Sequence, residues 1–198
     1  MKNYDAWNYE TNQWYTPDHF AKPTYAGNTQ GIIDWDSVLL HLKDLPGIKL
    51  PPTGWTNPLF EPMDKLFKDS NYSNFSAEWI NYYPGKDYDE AVDLIFGELV
   101  KHPKCVRAWI SKINPGHTAP WHWDLDDNET EYLKAGKLIR FVCKASVPAI
   151  GHVAVIGNHA LYGGLQGDTY IWTDTHCWHG SVNCGLVPKY QYNYLAYL

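Results

Sequence analysis

The chain has 198 residues, 44% of them hydrophobic and 19% charged, which fits one domain with its own core and excludes a disordered tail. Its formal net charge is −6, and it has no run of Lys or Arg able to neutralise a row of phosphates, so neither nucleic acid nor an anionic membrane surface is an expected partner. Met1 to Glu10 has no apolar core of signal-peptide length, and no segment approaches the apolar run of a membrane span; the expectation is a cytoplasmic protein.

Aromatic residues reach 16%, with 15 Tyr and 10 Trp, which suits strands because flat rings pack well on a pleated, half-buried surface. Cys105, Cys143, Cys177 and Cys184 show no CxxC spacing and read as buried thiols of a reducing compartment. A zinc role for Cys177 and Cys184 is the alternative, although paired metal thiolates are usually two to four residues apart.

In chain order, residues 1–31 are polar and aromatic without a period and read as an irregular wrap. Asp36 to Leu45 predicts a helix: Val38, Leu39 and Leu42 share a face, Asp36 caps the start, and Pro46-Gly47 ends it. Pro62 to Lys68 reads as a shorter helix. Asp87 to Val100 reads as the best one, with Asp87 and Glu90 in capping-box spacing and Tyr88, Val92, Ile95, Phe96 and Leu99 on one side. After His102-Pro103 the pattern changes to short β-type runs: Val106–Ile113, Leu138–Ala145, Val153–Ile156, Thr169–Trp172, Gly180–Val182 and Tyr190–Leu198. The expected architecture is mainly β with N-terminal helices: one domain over 1–198, with an irregular and helical cover over 1–105 and a jelly-roll, cupin-like barrel (a double-stranded β-helix) over 106–198.

Two segments carry the chemistry. After Pro115-Gly116, the run Trp121-His122-Trp123-Asp124 contains a His-x-Asp pair, and extended backbone turns residues two apart to the same side. Alone, such a pair reads more readily as a surface ion pair. The second segment, His176-Cys177-Trp178-His179-Gly180, supplies a distal histidine after the intervening strands. His122, Asp124 and His179 together form the 2-His-1-carboxylate set that suits non-haem Fe(II) and leaves positions open on the metal. His176 competes with His179 for the third place. Lys189, ten residues beyond His179 at the opening of the last strand, is a candidate cation for the far carboxylate of 2-oxoglutarate; Arg140 is a second one. Arg140, Val142 and Lys144 alternate with Ile139, Phe141 and Cys143, so one of the two sets faces the barrel interior.

From Val106 onwards the chain resembles the aspartyl/asparaginyl β-hydroxylase group of Fe(II)/2-oxoglutarate dioxygenases. The resemblance rests on a strand running into Pro115-Gly116, His122 six residues after that glycine, the arginine strand at Arg140, the His179-to-Asn183 segment, and a basic residue ten positions past the distal histidine. It implies iron ligation by His122 and His179 and 2-oxoglutarate contacts from Arg140 and Lys189, with Asp124 completing the triad as in the wider superfamily. It also implies hydroxylation of a peptide side chain, amino acid or other small molecule by molecular oxygen, with release of succinate and CO2. Two departures stand out: Val142 occupies a place where such enzymes can have a histidine, and Lys189 replaces the commoner arginine, losing its bidentate fork.

His117 and His152 read as structural or surface histidines. Trp121, Trp123 and Trp178 read as a substrate wall or as rim packing. Asp126, Asp127, Glu129 and Glu131 form a solvated loop or a lid. The other readings are a cupin-type metal enzyme that does not use 2-oxoglutarate, a non-enzymatic jelly-roll binding module, and a phage or accessory structural protein.

Overall fold

The computed structural model describes residues 7–8, 13–14, 22–42, 48–49, 77–81, 104–122, 138–157, 159–172, 177 and 179–197; for 7–8, 13–14, 48–49, 77–81, 104–107, 120–122, 138 and 197 it describes the backbone alone. The strands are β1 (Trp7–Asn8), β2 (Gln13–Trp14), β3 (Thr24–Asn28), β4 (Ile48–Lys49), β5 (Ala77–Asn81), β6 (Lys104–Ile113), β7 (Thr118–His122), β8 (Leu138–Lys144), β9 (His152–Ile156), β10 (His159–Leu161), β11 (Asp168–Trp172), β12 (His179–Asn183) and β13 (Lys189–Tyr197). One helix, α1 (Trp35–Leu42), is present among the described residues.

The strands form an antiparallel seven-stranded sheet in the order β3-β11-β8-β13-β6-β5-β4 and an antiparallel four-stranded sheet in the order β10-β9-β12-β7, with β1 and β2 as a separate pair. All six strands expected from the sequence are present: β6, β8, β9, β11, β12 and β13, with bounds shifted by one or two residues. The chain alternates between the sheets so that sequence neighbours β8 and β9, or β12 and β13, lie on different sheets, as a jelly roll requires. Every ladder among the described strands stays within one sheet, so the expected closed barrel is here a pair of sheets with separate ladders.

The large sheet is covered on both faces. Ile139, Phe141 and Cys143 of β8 and Tyr192 and Tyr194 of β13 pack with Trp35 and Leu42 of α1. The alternate residue Val142 packs with Ile156 of the small sheet, Trp172 and Cys177. The period-two alternation of β8 is therefore resolved: Ile139, Phe141 and Cys143 face the helix, and Arg140, Val142 and Lys144 face the interior between the sheets.

Before residue 104 the structure departs from the expected cover. Residues 24–28 are not irregular; they add β3 to the sheet edge beside β11, and β4 and β5 extend its other edge. β3 has no alternating apolar pattern because its hold on Asp168 is polar: Asn28 Nδ2 donates to Asp168 Oδ1 at 2.9 Å and the Tyr25 hydroxyl to the same oxygen at 3.2 Å. Helix α1 is capped by Asp34 rather than Asp36, with the Ser37 amide donating to Asp34 Oδ1 at 3.1 Å and the Ser37 hydroxyl to Oδ2 at 2.7 Å. These bonds hold the Asp34 carboxyl below its ordinary range. The helices expected at Pro62–Lys68 and Asp87–Val100 lie outside the described residues, and no described helix is long and apolar enough to cross a membrane.

Candidate functional site

The turn at Pro115-Gly116 delivers the chain from the large sheet into β7. The His117 amide donates to Asn114 O at 3.0 Å, and Gly116 takes φ +78°, the left-handed value required at the third position of a type II turn behind proline. Two bonds then clamp this turn to the end of β12: Gly116 N to Asn183 O at 2.8 Å and Asn183 N to His117 O at 3.0 Å.

From that clamp the β7–β12 ladder runs Thr118 opposite Val182 and Ala119 opposite Ser181, and then slips by one residue so that His122 stands opposite His179. Without the slip Trp121 would be the partner of His179. Pro120, which has no N–H to give a ladder, lies in the bulged stretch, and bulges commonly re-aim a residue beside an active site. The two histidines expected as ligands from positions 57 residues apart are thus direct cross-strand partners. Asp124 and His176 lie outside the described residues, as do Trp123, Trp178 and the acidic stretch Asp126 to Glu131.

His179 is half-buried, and its Nδ1 lies 2.9 Å from Cys177 O. A carbonyl oxygen only accepts, so Nδ1 carries the proton; in the neutral ring Nε2 is then the nitrogen with the lone pair that a metal would take. Its ring lies 5.8 Å from that of Trp172, tilted by 53°.

Two residues further along β12, on the same side as His179, Ser181 is buried and its hydroxyl receives a short hydrogen bond from Lys189 Nζ. Lys189 is 7% exposed and also donates to Val153 O at 2.7 Å. Both partners are neutral, so burial pushes the ammonium from its ordinary 10.5 down to about 7, with the charge of Lys144 adding to the shift. A polar file continues along β13: Ser181 Oγ contacts Gln191 Oε1 at 3.5 Å, Gln191 Nε2 donates to Asn193 Oδ1 at 2.9 Å, and Asn193 Nδ2 donates to Ser111 Oγ at 3.0 Å. Lys189 and Gln191 border a small cavity of about 20 Å³ shared with Lys144, Val142, Ala154 and Tyr170, room for about one water.

Asn183 explains why Lys189 starts its strand there. Its side-chain amide donates to Ile113 O and Val187 O, each at 2.8 Å, and its Oδ1 accepts from the Gly185 amide at 2.9 Å, which fastens the β12–β13 turn. His152 fastens the same turn from β9. Its Nδ1 accepts from the Ala149 amide at 3.3 Å, so Nε2 is the nitrogen that donates to Val187 O at 3.0 Å. His152 is a structural histidine, as expected.

Arg140 is 3% exposed on the interior face of β8, directly opposite Trp172 of β11 and Leu195 of β13. Val142, where a histidine can stand in the resembled group, packs among apolar residues, so this wall of the interior is greasy. Ser181, Trp172 and Lys144 were not singled out from the sequence. Ser181 was within reach, because it alternates in phase with His179.

These features define a two-sheet jelly-roll fold in which the β7–β12 ladder pairs His122 with His179 and the side chains of Arg140 and Lys189 are buried. The solved structures that share the fold include a prolyl-4-hydroxylase from Pseudomonas putida, with TM-score 0.53 and 12% identity over 91% of this chain and 93% of that one. AviO1 from Streptomyces viridochromogenes gives TM-score 0.51 and 10% identity over 92% of each chain. The epimerase SnoN, solved with Fe3+, alpha-ketoglutarate and nogalamycin RO, gives 0.53 and 7% over 91% of this chain and 80% of that one. No protein-family profile matches the chain, and no curated protein matches it by sequence.

Proposed function

We propose that the chain is an Fe(II)/2-oxoglutarate-dependent oxygenase that hydroxylates a peptide side chain, amino acid or other small molecule. The observation that carries this reading is the register of β7 and β12. It sets His179 against His122 and, one interior position further on, Ser181 against the buried ammonium of Lys189. The candidate metal ligand His179 and Ser181, the partner of the candidate anchor Lys189, are thus two residues apart on β12, an order consistent with a chelating diacid that reaches from metal to lysine. The fold shared with SnoN, solved with Fe3+ and alpha-ketoglutarate, supports the same reading.

The residues present fit the group. His179 would offer Nε2, since its Nδ1 proton is engaged by Cys177 O, and His122 and Asp124 would supply the other two ligands of the triad. When bound, iron and 2-oxoglutarate together supply dioxygen activation by oxidative decarboxylation, with succinate and CO2 as products. Lys189 would hold the distal carboxylate through a charge-assisted hydrogen bond, while the Ser181 hydroxyl accepts from the same ammonium. Val142, Ile156 and Cys177 keep water from the interior, which strengthens every charged contact inside it.

The narrower likeness to aspartyl/asparaginyl β-hydroxylases rests on the spacing from Pro115 to Lys189. The test is uncoupled turnover: purified protein with Fe(II), ascorbate and 2-oxoglutarate releases succinate above the metal-free background. If 2-oxoglutarate does not bind the metal-loaded protein at all, the site belongs to a metal enzyme of another kind.

A further inference from the structure

Three turns meet at the Asn183 end of β12, opposite its His179 end: residues 114–117 between β6 and β7, 145–151 between β8 and β9, and 184–188 between β12 and β13. They are fastened to one another. The Gly116 amide donates to Asn183 O at 2.8 Å, the Cys184 amide to Gly151 O at 2.9 Å, and His152 Nε2 to Val187 O at 3.0 Å. Gly151 and Gly185 lie back to back, and neither has room for a Cβ, which locks the second and third turns together.

The surface these turns present is apolar. Ile150 is 98% exposed and Leu186 94%, and Val147, Val187 and Pro188 are exposed with them. Although 19% of the chain is charged, the three turns contain no Asp, Glu, Lys or Arg. The four aliphatic residues present on the order of 500 Å², as much as the largest apolar patch of a typical monomer, and patches of that size are often binding surfaces. Pairing two such faces removes on the order of 1,000 Å² from water, the lower limit of a specific interface. Charge then selects the occupant. The net charge of −6 repels an anionic bilayer, and turns without a basic residue give it nothing to attract, whereas two copies that meet here bring no like charges together. A face of aliphatic groups is also its own complement, as an isologous twofold contact requires.

We propose that these turns form a homodimer interface, in which a second copy of the chain packs on Val147, Ile150, Leu186 and Val187 about a twofold axis as a weak, reversible dimer. The contact lies at the end of β12 opposite His179, so it leaves the His179 end of each copy open. The partner braces the β12–β13 turn, which leads into Lys189.

The experiment is sedimentation velocity on the full-length protein from micromolar to millimolar concentration, with and without Mn(II). The expected result is a shift from monomer to dimer with a dissociation constant on the order of tens to hundreds of micromolar in both conditions. Ile150→Asp and Leu186→Asp should each weaken the dimer about tenfold or more, because each sets a charge against its twofold copy in an apolar contact. Leu40→Asp, at an exposed position of α1, should leave the dimer unchanged. Circular dichroism reports that each variant is folded, and the double variant Ile150→Ser, Leu186→Ser repeats the test without adding charge. A protein that stays monomeric throughout overturns the proposal. So does a dimer that keeps wild-type affinity in both Asp variants, because the copies then meet elsewhere. Flotation with phosphatidylcholine vesicles tests the other occupant: a monomer that floats with them, and no longer does so as Leu186→Asp, has its turns in a lipid surface and overturns the proposal as well.

Discussion

Replacing Lys189 with methionine should strengthen the ligand-free fold and disable the site together. The Lys189 ammonium is buried against one carbonyl and one hydroxyl, and burial lowers it from 10.5 to about 7. At about 1.4 kcal/mol per tenfold, that displacement corresponds to roughly 5 kcal/mol disfavouring the charged form, an upper bound for what an apolar side chain can recover. The Val153 carbonyl and Ser181 hydroxyl lose a donor in exchange, so a net gain of about 1–2 kcal/mol is expected, or about 2–8 °C in Tm for a chain of this size. The sign with pH follows from the lowered value. Between about pH 7 and 10.5 the unfolded chain holds the Lys189 proton and the folded one does not, so this group's contribution to stability rises with pH across that window. The advantage of Lys189→Met is therefore largest at and below pH 7 and fades towards 10.5. Binding goes the opposite way: loss of a charge-assisted hydrogen bond weakens 2-oxoglutarate by about 10- to 150-fold. Because only the ammonium binds the carboxylate, wild-type affinity should fall about tenfold from pH 6 to 8, with proton uptake, and the variant should lose this dependence. Calorimetry on the Mn(II) forms in two buffers of different ionisation heat, beside thermal melts from pH 6 to 9, measures all of this. A variant that is less stable than wild type at pH 6 and binds 2-oxoglutarate normally refutes the reasoning.

Three further outcomes follow from the same packing. His179→Ala should abolish stoichiometric Mn(II) binding while the circular dichroism spectrum and melt survive, since the ring is half-buried and lies outside the apolar clusters of the core; unchanged metal content places the site elsewhere. Gly151→Ala should cost at least 2–3 kcal/mol in denaturant titrations, because Gly151 has φ +92° and a Cβ there meets Gly185 N at 2.3 Å, in the turn that leads to Lys189. A thiol reagent should modify exposed Cys184 at once, whereas Cys143, fully buried and pushed up to about 11, should react only on unfolding; equal rates would contradict the packing of β8 on α1.

The legible part of this protein was the part governed by strand alternation. The six strands read from the sequence after residue 103 carry period-two patterns bounded by Gly, Pro and Asn, and all six are present. The Arg140 alternation could be stated from the sequence but not its direction, because both phases of β8 contain apolar residues; only α1 on one face and the small sheet on the other decide it. β3 was illegible because an edge strand held by Asn28, Tyr25 and Asp168 has no hydrophobic period to read. The pairing of His122 with His179 depends on a one-residue slip at Pro120-Trp121, and a bulge leaves no composition signal strong enough to predict.

The most direct test is a crystal structure of the protein grown with Mn(II) and a non-reactive 2-oxoglutarate analogue without oxygen, read by anomalous scattering. The account predicts one manganese peak bonded to Nε2 of His179, to His122 and to Asp124, with the analogue chelating it and its distal carboxylate on Lys189 Nζ. A peak elsewhere, or an analogue whose distal carboxylate lies away from Lys189, would contradict it.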